Sequence, residues 1–314
     1  MYRLIAVDLD GTLLNSYGEV TDYSKKIIKK LIENGIKFII ASGRPIDSIK
    51  TIAKEIGSDE YFIAGNGAII YDIKKDKVIY EKYLSKSKVL EIIKICEKNS
   101  ISYNVYTDKT ILATGLKYNV LYYYKENLKK EEDKKTNIHI VSDMYEHVKN
   151  LKEDKFLKIT ICEDNESIFN SIMKKIKNIN GIDILDVSHM SRKVINQGTE
   201  EVSIEYYYTE ISLSNVDKWT AIEYLIEKLG IKKEEVIAIG DNMNDKKMIE
   251  NAGLGIVMKG STPTVIKVAD EIAQSNNEDG AIKILQKYYK NITTILIFSY
   301  KRTIHWFWLI FDVK

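Results

Sequence analysis

The feature that most constrains this chain is a rhythm that is interrupted and then resumes. From Leu4 to Ala64, short apolar runs alternate with amphipathic segments, and Gly or polar breaks separate them. That is how a βαβ parallel sheet is written in sequence. Leu4 to Val7 reads as a strand, and Thr21 can cap a helix whose apolar face is Ile27, Ile28, Leu31 and Ile32. Asn34-Gly35 ends that helix with a residue able to turn left-handed. A strand at Ile36 to Ile40, a helix from Ile46 to Ile56 stopped by Gly57, and a strand at Tyr61 to Ala64 running into "GNGA" follow. Ala68 to Tyr83 then alternates apolar and polar around Lys-Lys-Asp-Lys, as a hairpin does.

From about Ser85 to Leu213 the period changes: a helical pattern at Val89 to Lys98, then short tyrosine-rich strands. The βα rhythm resumes at residue 214, with a helix from Lys218 to Leu229 ending at Gly230 and a strand at Val236 to Ile239. A helix from Asn244, a strand at Gly255 to Met258, and helical segments at Thr262 to Val268 and Glu278 to Tyr288 complete it. The expected fold class is therefore α/β, with one doubly wound parallel sheet built from residues 1–84 and 214–290 and a second α+β domain inserted at 85–213.

Composition narrows the options. The 314 residues carry 47 basic and 45 acidic side chains, a net charge of +2, so no overall field points to a nucleic-acid partner. The two cysteines, Cys96 and Cys162, suggest a reducing compartment, and cytoplasm is the expected location. His139, His147, His189 and His305 lack metal-ligand spacing, so any metal should be bound by oxygen. The charge run "KENLKKEEDKK" at 125–135 reads as a solvated face, and Tyr122 to Tyr124 and Tyr206 to Tyr208 as strand or core residues. The tail at 291–314 has two apolar runs, "ITTILIF" and "IHWFWLIF", each shorter than the roughly 20 residues of a spanning helix. It reads as an edge hairpin or a patch buried in an oligomer, with interfacial anchoring through Trp306 and Trp308 as the lesser alternative. A monomer or weak homo-oligomer without a membrane span is the expectation.

In an open α/β sheet, ligands bind beyond the carboxyl ends of the strands. Those positions hold Asp8 and Asp10 after the first strand and Ser42, Gly43 and Arg44 after the second. They also hold Lys218 at a helix start and "GDNMND", with Asp241, Asn244 and Asp245, after "VIAI". Four carboxylates at one edge would repel, and a divalent cation removes the conflict. Oxygen-only ligands suit Mg2+, which keeps several waters and takes few carboxylates plus a substrate phosphate. Ser42, the amides around Gly43, Asn244 and the Lys218 ammonium are suited to the oxygens of a phosphoryl group in transfer. A carboxylate nucleophile with a second carboxylate as acid and base can carry that transfer without histidine. Arg44 reads as a local structural residue.

"DLDGT" at 8–12, "SGR" at 42–44, Lys218 and "GDNMND" at 240–245 resemble, in order, the four motifs of the haloacid dehalogenase (HAD) superfamily. "GNGA" at 65–68 and "STPTVIKVADEIAQSNNEDGAIKIL" at 261–285 look like its Cof-type branch with a C2-type cap, a group of Mg2+-dependent small-molecule phosphatases. The resemblance implies a Rossmann-like core with the cap inserted between motifs two and three. It implies Asp8 as a nucleophile forming an aspartyl-phosphate and Asp10 as the acid and base. Mg2+ would be held by the Asp8 carboxylate, the Asp10 carbonyl and Asp241, with Asp245 orienting from just outside. Phosphate contacts would come from the Leu9 amide, Ser42, Gly43, Lys218 and Asn244.

The implied activity is hydrolysis of a small soluble phosphomonoester, such as a sugar phosphate or a phosphorylated cofactor. A phosphotransferase or mutase on the same fold, and a non-catalytic phosphometabolite-binding regulator, remain as alternatives. The stretch from Asp186 to Tyr208 looks longer than the family's usual return to the core. His189, Arg192 and Lys193 there could touch a substrate from above, although a solvated basic loop is the plainer reading.

Overall fold

The computed structural model describes residues 1–128, 132, 135–152, 155–185, 191–197 and 200–290. The first segment runs β1 (Leu4–Val7), α1 (Asp22–Glu33), β2 (Lys37–Ala41), α2 (Ile46–Ile56), β3 (Tyr61–Ala64), β4 (Ile69–Asp72) and β5 (Lys77–Glu81). The insert contains α3 (Lys86–Lys98), β6 (Ser102–Thr107), β7 (Ile111–Ala113), α4 (Tyr118–Asn127), β8 (Ile138–Ile140) and α5 (Met144–Asn150). It continues with β9 (Phe156–Glu163), α6 (Glu166–Ile176), β10 (Ile182–Ile184), β11 (Ser191–Gln197) and β12 (Glu200–Leu213). The chain then returns through α7 (Lys218–Leu229), β13 (Val236–Gly240), α8 (Lys246–Asn251), β14 (Leu254–Met258), α9 (Pro263–Ile266), β15 (Glu271–Ala273) and α10 (Gly280–Lys283).

The core sheet has the order β15-β14-β13-β1-β2-β3-β4-β5, parallel from β15 to β3 and antiparallel beyond. All four residues of β1 are buried, as a central strand covered on both faces requires. Strand order reverses direction between β1 and β13, which makes their carboxyl ends the switch point where open α/β sheets bind ligands. The fold is an α/β Rossmann-like core with an inserted α+β cap. Thr21 caps α1 by accepting from Ser24 N at 3.1 Å, and Gly57, at φ 74°, closes α2 in the left-handed region. Cys96 and Cys162 are buried free thiols.

The cap sheet runs β10-β12-β9-β6-β7-β8, with β11 added on β12. Its register pairs Tyr106 with Lys158, Asn104 with Thr160, Thr160 with Glu210 and Cys162 with Tyr208. Val105, Ile159, Ile161 and Ile211 pack on one side with Val89, Ile92, Met144 and Phe169 of α3, α5 and α6. Period-two alternation therefore gathers Asn104, Tyr106, Lys158, Thr160, Tyr208 and Glu210 on the other face. Asn119 of α4 bonds Asn104 at 3.1 Å and the Tyr106 hydroxyl at 2.8 Å across that face.

Several local expectations are corrected. Tyr122 to Tyr124 lie in helix α4 rather than in a strand, because tertiary packing overrides the β preference of tyrosine. The second strand starts at Lys37, since Ile36 N still bonds Leu31 O at 3.0 Å and belongs to the close of α1. The helix expected at Glu278 to Tyr288 is broken: Asp279 sits at φ 56°, and its carboxylate accepts from the hydroxyls of Thr21 and Ser24. Short 3-10 turns flank α10 there. α9 is one turn, and a 3-10 turn at Met243–Asp245 precedes α8. The tail at 291–314 and His189 lie outside the described residues, and the side chains of Arg192 and Lys193 do too.

Candidate active site

Asp8 follows β1 at its carboxyl end and is tied to β13 by its N–H, which donates to Ile239 O at 2.9 Å. Asp241 follows β13, so the two carboxylates face one another across the switch point. Gly11 makes this approach possible: it sits at φ 83°, and a Cβ there would lie 2.6 Å from Asp241 Oδ2. Thr12 Oγ1 donates to Asp241 Oδ1 at 3.1 Å. Asp245 accepts at Oδ2 from the N–H groups of Asp241 and Asn242, both at 3.0 Å, which folds "GDNMND" into a tight turn around it.

Lys218 joins these acids. Asp217 caps α7, placing Lys218 at its first turn, while Trp219 packs into the core beneath. The Lys218 side chain is fully buried, and Nζ donates to Asp8 Oδ1 and Asp245 Oδ1, each at 2.5 Å. Asp8, Asp241 and Asp245 each offer an oxygen, all within 4.8 Å of one another.

One ammonium does not balance three carboxyls. Burial pushes the Asp8 carboxyl well above its ordinary range, with Asp245 and Asp241 adding to it against the pull of Lys218. Burial and Asp245 push Asp241 up to about 7, against Lys218 and the Thr12 hydroxyl. Burial opposes the charge of Lys218, but Asp245 and Asp8 outweigh it and raise its affinity for the proton. The surplus is negative and the donors are all oxygen, which is what a hard divalent cation requires.

The remaining predicted residues form the rim. Ser42 is buried after β2, and its Oγ accepts from Arg44 N at 3.2 Å, which keeps the hydroxyl proton free to donate elsewhere. Gly43 packs against Asn66, whose Oδ1 would lie 2.8 Å from a Cβ at that position. Asn244 Nδ2 donates to Asn66 Oδ1 at 3.0 Å. Leu9 is buried between the two acids. The Asp10 side chain stands apart from the carboxylate trio, with 62% of it exposed. Arg44 forks it, Nε to Oδ2 at 2.8 Å and Nη2 to Oδ1 at 2.6 Å. Arg44 therefore does more than local work: it holds the side chain of Asp10.

A sequence profile of the haloacid dehalogenase-like hydrolases matches residues 5–285, a span that contains every residue of this site. The chain belongs to the haloacid dehalogenase-like hydrolases. Phosphatase YwpJ of Bacillus subtilis (strain 168) is 26% identical to it over 90% of this chain and 99% of that protein. A haloacid dehalogenase-like hydrolase from Bacteroides thetaiotaomicron superposes with TM-score 0.70 at 26% identity, covering 92% of this chain and all of that one. The HAD subclass IIB sugar phosphatase BT4131 shares the fold, with TM-score 0.69 and 19% identity over 91% of this chain and 98% of its own. The enzyme class follows: this HAD-like hydrolase is a phosphoric monoester hydrolase. No helix among its described residues is long and apolar enough to cross a membrane.

Two groups of the HAD-like site were not singled out by strand-end reasoning. Thr12 lies inside the motif that pointed to Asp8, and its hydroxyl became meaningful only once Asp241 was beside it. Asn66 lies in "GNGA", and its signal was a non-glycine residue between two glycines; it adopts φ 57°.

Proposed function

We propose that this chain is a Mg2+-dependent phosphatase that hydrolyses a small soluble phosphomonoester, such as a sugar phosphate or phosphorylated cofactor, through an aspartyl-phosphate on Asp8. The observation that carries the reading is the trio of buried Asp8 and Asp245 and half-buried Asp241 around a single lysine at the switch point of the sheet.

Asp8 would attack phosphorus as the bond to the leaving-group oxygen breaks, and Asp10 would deliver a proton to that oxygen. Asp10, now ionised, would take a proton from water as the water oxygen attacks phosphorus. The acyl-phosphate bond then breaks, inorganic phosphate leaves and Asp8 is regenerated. Lys218, Ser42, the amides of Leu9 and Gly43, and Asn244 would hold the equatorial oxygens, where charge builds during transfer. Bound by Asp8, Asp241 and the Asp10 carbonyl, with Asp245 just outside, Mg2+ would supply charge neutralisation at the phosphoryl oxygens. The Arg44 fork gives the exposed carboxylate of Asp10 a defined resting place.

The test is release of p-nitrophenol and phosphate from p-nitrophenyl phosphate with and without Mg2+. Wild type should turn over only with the cation, and Asp8→Asn should lose roughly 10³-fold or more of the rate. Turnover by Asp8→Asn near the wild-type rate would overturn the nucleophile assignment. A wild type inert toward aryl and metabolite phosphomonoesters alike would overturn the phosphatase reading.

A further inference from the structure

Glu210 of the cap and Asn244 of the core never touch, yet one side chain joins them. Asn66 Nδ2 donates to Glu210 Oε2 at 3.1 Å, and Asn66 Oδ1 accepts from Asn244 Nδ2 at 3.0 Å. We infer that Asn66 is a positioning residue through which the cap carboxylate of Glu210 fixes the amide of Asn244, so that one of its N–H groups answers Asn66 and the other is left for a phosphoryl oxygen.

The argument is one of donor and acceptor polarity. An ionised carboxylate only accepts, so it dictates which end of a neighbouring amide it meets. Glu210 keeps that character because its partners all donate: Lys158 Nζ to Oε1 at 2.5 Å, the Tyr208 hydroxyl to the same oxygen, and Asn66. Burial would favour its neutral form, but the charge and hydrogen bond of Lys158, then Tyr208 and Asn66, hold its carboxyl below the ordinary range. Asn66 must therefore present its NH2 to Glu210 and its carbonyl to Asn244, and Asn244 must answer with its own NH2. One of the two Asn244 N–H groups is used in that answer, and the other is a donor for an anion. With the Asn66 amide reversed, two acceptors would face each other at Glu210, and Asn244 would turn its oxygen inward.

The backbone is built to hold this link. Asn66 N donates to Ser42 O at 3.0 Å, so the relay is pinned to the strand end that carries Ser42. Gly43 leaves the space that the Asn66 amide fills. Seating of Glu210 on Asn66 and binding of a phosphoryl group are then linked equilibria, each favouring the other. The inference rests on the phosphatase reading only in taking Asn244 as a phosphate contact.

A polarity swap tests it. In Glu210→Gln, Lys158 claims the amide oxygen and the new NH2 faces Asn66, which must reverse. In Asn66→Asp, two carboxylates oppose each other. In the double variant Asn66→Asp/Glu210→Gln the NH2 of Gln meets the Asp carboxylate, which still accepts from Asn244, so the original polarity at Asn244 returns. The measurements are calorimetric affinity for inorganic phosphate with Mg2+ present, and kcat and KM on p-nitrophenyl phosphate. Each single variant should lose about tenfold in phosphate affinity and in kcat/KM, and the double should return to within about threefold of wild type. Singles without effect, or a double as impaired as the product of the singles, would overturn the inference, whether the loss comes from misfolding or from missing contacts. A wild type that binds phosphate but hydrolyses nothing would sink the phosphatase reading while the affinity pattern still decides the relay. A wild type that binds no phosphate would overturn both.

Discussion

Lys158 in the cap and Lys218 in the core each sit against carboxylates at 2.5 Å, and they do so in opposite electrostatic circumstances. In the cap, Lys158 meets one acid, Glu210, whose other donors are a phenol and an amide; the positive and negative charges match, and Glu210 is held ionised. In the core, Lys218 meets Asp8 and Asp245 with Asp241 beside them, and the carboxyls of Asp8 and Asp241 are pushed toward their neutral forms. The cap pair is complete in itself and can serve to orient its neighbours. The core cluster lacks a positive charge, and on the proposed function that deficit is where a cation and a phosphoryl group would bind. Both clusters are largely shielded from solvent, so the count of charges tells them apart.

The largest effect expected from this contrast is on turnover. Lys218→Met should cost roughly 10³-fold in kcat, while Lys158→Met should cost about tenfold, since Lys158 acts on the site only through Glu210 and Asn66. Equal losses in p-nitrophenyl phosphate assays would erase the distinction. Next comes stability, read by thermal melts with a chelator at pH 8. Glu210→Ala strands Lys158 and should destabilise by roughly 3 kcal/mol, whereas Asp241→Asn relieves repulsion and should raise Tm by about 2–4 °C. A destabilised Asp241→Asn would mean that the trio is not in charge deficit.

The smallest effect is the pH slope of stability, which should differ in sign between the regions. Asp241 is raised to about 7 from a usual value of 3.8, so between those values the folded chain without cation keeps a proton that the unfolded chain has lost. That contribution is full in acid and disappears as pH rises to about 7. Glu210 is lowered from 4.5, so its contribution is present above that value and is lost as pH falls through its folded value. In melts from pH 3 to 8 with chelator, Asp241→Asn should flatten the neutral side and Glu210→Gln the acid side. The reverse assignment would contradict the account.

The two regions were also unequally legible. Asp8, Asp241 and Asp245 could be found because strand ends in a parallel sheet are positions that the apolar runs mark directly, and Lys218 because it opens a helix. Glu210 and Lys158 sit inside strands, and their meeting depends on the β9–β12 register, 52 residues apart in sequence, which no local pattern encodes. Tyr123 sits in an aromatic run that reads as strand or core, and it lies in helix α4. Arg44 looked local because its partner, Asp10, lies 34 residues away on a different strand end. Thr21 and Gly57 were readable as caps since capping is a property of adjacent residues.

The most direct test of the charge-deficit claim is calorimetric titration of Mg2+ into the protein, made free of cations by chelation, at pH 7 without substrate. Wild type and Glu210→Gln should bind one ion saturably, and Asp241→Asn should lose that binding. No saturable uptake by wild type, or undiminished uptake by Asp241→Asn, would contradict the account.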